Sequence, residues 1–198
     1  MSAQIKSARG VVATSKENIL ARIHRICNRT SFKLAGAAMN LRPAIIANRF
    51  VLPEDGWVHI ATYGNHPHPQ DLVQVLDDRA FDSMVANFAK KKKDKTFPGL
   101  LVDYDHISNN PGGSSEAAGW IDNLKKKADG LYAHISWTDV GEKAVNGGRF
   151  RMVSPVWLRS RCEELGNKKV RPTELDSLAC TNDPNIKGMR PITALEQS

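Results

Sequence analysis

Between residues 77 and 93 the apolar side chains Phe81, Met84, Val85 and Phe88 recur at i, i+3, i+4 and i+7, the spacing of one helical face. Asp77 or Asp78 can cap this helix, and Lys90 to Lys93 put cations at its C-terminal end, where the backbone dipole favours them. A shorter helix is predicted over residues 139–146, closed by Gly147-Gly148. Elsewhere the pattern changes to runs rich in β-formers, which predict strands at 44–50, 57–63, 100–106, 117–124, 131–137, 150–159 and 174–181. Pro53-Glu54-Asp55-Gly56 predicts a hairpin turn between the first two, and Asp129-Gly130 a turn between 117–124 and 131–137. His66-Pro67-His68-Pro69 is expected to interrupt regular structure, because proline removes backbone donors, and residues 109–115 read as a loop. Strands and helices in this irregular order fit an α+β domain or a small closed barrel better than a doubly wound sheet.

Composition narrows the class. Of the 198 residues 41% are apolar and 25% charged, which excludes a disordered, collagenous or disulfide-scaffold chain. No run approaches the 18 apolar residues of a membrane span. The net charge of +7 is uneven: residues 1–38 hold seven lysines and arginines against one acid, Glu17, and the remaining residues are close to neutral. The expected organisation is therefore a basic N-terminal arm over 1–38, with a short helix in it, and a folded domain over 39–198. The arm predicts at most weak, salt-sensitive nucleic-acid binding, and the near-neutral body offers little to phosphate. Cys27, Cys162 and Cys180 are odd in number and lack CxxC spacing, so they read as reduced thiols in a cytosolic compartment.

Three polar residues fall on strand faces that otherwise look buried. With period-two alternation His106 lies with Leu100, Val102 and Tyr104, while Asp103 and Asp105 point the other way. Ser154 lies with Met152 and Val156, and Asp176 with Leu178 and Cys180. Mutual hydrogen bonding would satisfy all three, and a hydroxyl, a base and a group that orients the base are what serine-dependent hydrolysis requires. Each has a plainer reading too: a histidine at a strand end, a serine before a proline, an aspartate that caps or pairs with an arginine. The Asp103-x-Asp105-His106 cluster also suggests a metal site, but alternation sends its members to opposite faces unless the chain bends at Asp105. Glycine-rich phosphate loops are absent, so no cofactor is expected.

Taken in order, several stretches resemble one family. They are Val102-Asp103-Tyr104-Asp105-His106, Ala117-Ala118-Gly119-Trp120-Ile121, Asp129-Gly130-Leu131-Tyr132-Ala133, Trp137-Thr138 with Gly141, residues 150–157 ending Ser154-Pro155-Val156-Trp157, and residues 178–184. Over roughly residues 41–190 they are similar to the Mu-like prophage I proteins, the head-maturation proteases of Mu-type phages. More distantly they resemble the prohead proteases related to herpesvirus assemblin. The resemblance implies a small, mostly antiparallel β-barrel flanked by helices and a serine endopeptidase, with Ser154 as nucleophile and His106 as general base. It puts the third catalytic member in the last strand, at Asp176 or, two residues earlier, Glu174. Pro155 has no N–H, so the donors to an oxyanion must come from elsewhere.

The function so implied is cleavage of scaffold, and of the protease itself or the major capsid protein, inside proheads assembling in the host cytoplasm. Scaffold protein, capsid protein and a second copy of the chain are the expected partners, with no membrane. Family members commonly continue into a scaffolding region; with residues 185–198 alone following Pro184, the expectation is a separate scaffold or a shortened form. The alternative is a non-catalytic assembly protein that lends the same fold to scaffold or capsid contacts.

Overall fold

The computed structural model describes residues 50–195 apart from 111, 115 and 193. The basic arm, its short helix, the boundary near residue 39 and most of the first predicted strand lie outside the described residues. In chain order the elements are β1 (Phe50–Val51), β2 (Trp57–Ala61), β3 (Gly64–His68), β4 (Leu72–Leu76), α1 (Asp78–Lys91), β5 (Leu100–Tyr104), β6 (Gly119–Lys127), β7 (Gly130–Trp137) and α2 (Asp139–Asn146). They continue with β8 (Met152–Val156), β9 (Cys162–Gly166), β10 (Lys169–Pro172), β11 (Ser177–Thr181) and β12 (Ala194–Leu195).

Six strands form the main sheet in the order β2-β7-β6-β5-β11-β8, antiparallel throughout except for β5 and β11. Its end strands β2 and β8 approach each other without ladder pairing, so the sheet curls nearly shut. This mostly β, helix-flanked architecture agrees with the expected barrel. Val58, Ile60, Val102, Ile121, Leu131, Val153 and Leu178 fill the interior and are at most 2% exposed. Each contributes on the order of 1.5–3 kcal/mol by leaving water.

A second sheet, β3-β4-β10-β9, has no counterpart among the predicted strands. Gly64–His68 is a strand despite its proline, because β3 is an edge strand and a missing N–H costs nothing on the unpaired side. The turn at residues 53–56 does close, Gly56 N–H donating to the Pro53 carbonyl at 3.0 Å with Gly56 at φ +67°. It changes sheets instead of making a hairpin: β1 pairs with β12, and β2 with β7.

Helix α1 forms as its spacing predicts, burying Ala80, Phe81, Met84 and Phe88. Asp77 caps it, accepting from Ala80 N–H at 2.9 Å, and also receives the Arg171 guanidinium at 2.7 to 3.0 Å. One carboxylate thus fastens the start of α1 to β10. Thr138 caps α2 through Gly141 N–H.

Candidate active site

The ladder across β5, β11 and β8 fixes which side chains share a face. Asp103 is in register with Ala179, and Ala179 with Ser154. These three therefore point to one side, and Val102, Leu178, Cys180 and Val153 point to the other, into the core. Adjacent strands are about 4.8 Å apart, so Asp103 and Ser154 stand about 10 Å apart with Ala179 in register between them. Both are buried, at 2% and 5% exposure.

His106 reaches the same region by a bend that simple alternation does not foresee. The strand ends at Tyr104; Asp105 and His106 then take left-handed conformations, φ +47° and +60°, and a 3-10 turn over Ile107–Asn109 follows. Such angles are uncommon for side-chain-bearing residues and are held here from two sides. Asp105 N–H donates to the Cys180 carbonyl at 2.9 Å. The Asp103 carboxylate accepts from both the N–H (2.9 Å) and the hydroxyl of Ser108.

His106 and Ser154 line a single cavity of about 290 Å³. Gln74 and Val170 of the second sheet, Trp157 and Asn185 are also in its wall. Of the residues in its wall, His106 Nδ1, Gln74 Oε1 and Asn185 Nδ2 are buried with no hydrogen-bond partner. His68 and Cys162 line it as well; burial lowers the His68 pKa and raises that of the Cys162 thiol, so both stay neutral near pH 7.

Ser154 sits on a strand with one open edge. Its neighbour Val156 accepts from Asp176 N–H at 2.9 Å, so the backbone of 154 and 156 faces β11 while Pro155 turns its nitrogen to the unpaired side. That is why a proline is accommodated next to Ser154. It also leaves the backbone of 154 and 155 without a free donor for the cavity.

Asp176 and Glu174 are not brought to this place. Asp176 precedes β11 at the end away from Cys180, about 13 Å along the strand from the residue that holds the His106 bend. Its carboxylate pairs with Arg161 at 3.1 Å; Glu174 pairs with Arg161 at 2.6 Å and with Lys91 at 2.5 Å. Neither lines the cavity. The plainer reading of Asp176, pairing with an arginine, describes what it does.

The acid that does lie on the Ser154 face is Asp103. Alternation alone separates it from His106; the signal that could have joined them is the turn-forming Asp105, Ser108, Asn109 and Asn110 after Tyr104, which favour a bend. A second group, His134, Asp122 and Ser136, is also in contact, but there Asp122 sits in the middle, 2.7 Å from each partner, and the serine does not meet the imidazole. Among the described residues no three His, Cys, Asp or Glu side chains converge as metal ligands would.

Comparison with known proteins adds a family. The model described as "Mu-like prophage I protein, N-terminal domain" matches residues 58–193. The chain is 28% identical over 164 residues to the Mu-like prophage FluMu I protein of Haemophilus influenzae, covering 77% of this chain and 44% of that one. It is 24% identical over 164 residues to Protease I of Escherichia phage Mu, covering 75% and 42%. It thus spans less than half the length of these curated relatives. No solved structure gives a significant match.

Proposed function

This chain belongs to the Mu-like prophage I protein family, and on that premise we propose that it is a serine endopeptidase of phage head maturation, related in fold to the assemblin-like prohead proteases. The observation that carries this reading is that Ser154 and His106, 48 residues apart in sequence, line one cavity. A relative named Protease I supports the peptidase class. The substrates are the scaffold, and the protease itself or the major capsid protein, inside the assembling head in the host cytoplasm.

The chemistry divides into two transfers. Ser154 Oγ bonds to the scissile carbonyl carbon as His106 takes its proton; the C–N bond then breaks, and His106 gives that proton to the departing amine. Water, deprotonated by the same imidazole, then bonds to the acyl carbon; the C–Oγ bond breaks and His106 returns the proton to Ser154 Oγ. The oxyanion needs a donor that the Ser154-Pro155 backbone does not offer, and the candidate in this reading is Asn185, a residue of the cavity wall whose buried Nδ2 has no partner. Confinement with its substrates raises their effective concentration, so modest intrinsic activity suffices.

Co-expression with the cognate scaffold and capsid proteins tests this. Wild-type protein should yield cleaved scaffold, and Ser154→Ala should slow cleavage by about four orders of magnitude or more. Unchanged processing by Ser154→Ala would reject the peptidase and favour an assembly protein that binds without cutting.

A further inference from the structure

We propose that Asp103, not Asp176, is the carboxylate that orients His106, accepting from its Nδ1–H and so turning Nε2 toward Ser154. This rests on the peptidase reading and deepens it. Three independent features lead there.

The register is the first. Asp103, Ala179 and Ser154 form one row across adjacent strands on one face, about 10 Å from end to end. An imidazole spans such a gap between a carboxylate and a hydroxyl, and a residue no larger than alanine at 179 leaves room for it. The second is the bend: the left-handed pair Asp105-His106 folds the chain back immediately after Asp103, and Asp103 itself pins that bend through Ser108.

The third is the polar inventory. After its two bonds from Ser108, Asp103 still has a buried Oδ1 with no partner, and three residues later His106 has a buried Nδ1 with no partner. Buried polar groups in folded proteins are nearly always paired, so an open acceptor and an open ring nitrogen on one short bend point to each other. Catalytic hydrogen bonds are often loose before substrate arrives, and in this proposal a side-chain rotation closes the pair as the cavity fills. Asp176 Oδ1, by contrast, is already paired with Arg161.

Asp103 is thus a positioning residue: it touches the base and not the substrate. Its test must separate holding the imidazole from merely holding the loop. Asp103→Asn retains an acceptor for Ser108 but lacks the charge and favours the wrong imidazole tautomer. Ser108→Ala removes the hydroxyl pin and leaves the carboxylate.

Rates of covalent labelling by a fluorophosphonate probe would be measured on the full chain at neutral pH, with thermal midpoints recorded alongside. Asp103→Asn should label about 10³-fold or more slowly with a near-native midpoint. Ser108→Ala and Asp176→Asn should stay within about tenfold of wild type. Labelling of Asp103→Asn within tenfold of wild type, or a Ser108→Ala loss equal to that of Asp103→Asn, would overturn the proposal.

Ser154→Ala, run in parallel, keeps the two readings apart: if it labels like wild type, the peptidase itself is wrong, whatever Asp103 does. Should Asp103→Asn fail to fold, the wild-type protein decides by NMR. A slowly exchanging, low-field proton on His106 Nδ1 is expected, and an Nδ1 without its proton at neutral pH would contradict the assignment.

Discussion

His59 shows how one buried residue ties stability to pH. It is 5% exposed on β2, its Nδ1 accepts from Arg190 N–H at 3.3 Å, and its Nε2 is buried without a partner. Burial lowers its pKa below 6.5, with the nearby Asp129 opposing that only in part. The unfolded chain therefore binds a proton here more readily than the folded one. Stability should be full above about pH 6.5 and fall as pH drops toward the depressed folded value, by at most about 1.4 kcal/mol per pH unit. Urea midpoints between pH 7.5 and 5.5 should show this decline, and His59→Gln should flatten it.

At the same scale, residue type and strand phase made Ser154 and His106 legible as candidates. Alternation held at Asp103 and failed at His106, because it assumes that the strand continues past Tyr104. The Asp176 ion pair was not legible for another reason: its partner Arg161 lies fifteen residues away, and nothing local in sequence announces that pair.

Among the elements, α1 was readable to within one residue at its capped end, since helical spacing and capping are local. Asp77 does two jobs there, as cap and as partner of Arg171, and the guanidinium holds its carboxyl below the usual carboxylate range. Asp77→Ala should cost about 1 kcal/mol for the cap, with a smaller, salt-dependent part for the ion pair because Asp77 is more than a third exposed. Asp77→Asn should lose less, since asparagine caps equally well. Chemical denaturation of both variants at low and high salt would measure the split. The second sheet escaped notice because β9 and β10 are rich in charge, β3 contains a proline, and β4 pairs in parallel with a strand almost a hundred residues later. Long-range pairing of that kind leaves little trace in a single sequence.

For the whole molecule, the fold serves to bring residues from the turn after β5, from β8 and from the segment after β11 to one cavity, with the second sheet in its wall. The nearly closed main sheet sets the row Asp103-Ala179-Ser154, so the site inherits its precision from ladder registry; a one-residue slip of β8 would turn Ser154 into the core. The measurement that bears most directly on this account is mass-spectrometric mapping of the fluorophosphonate adduct on the folded protein. The account predicts a single adduct on Ser154 in the wild type and its loss in His106→Gln. An adduct on another residue, or equal modification of Ser154 with and without the imidazole, would contradict it.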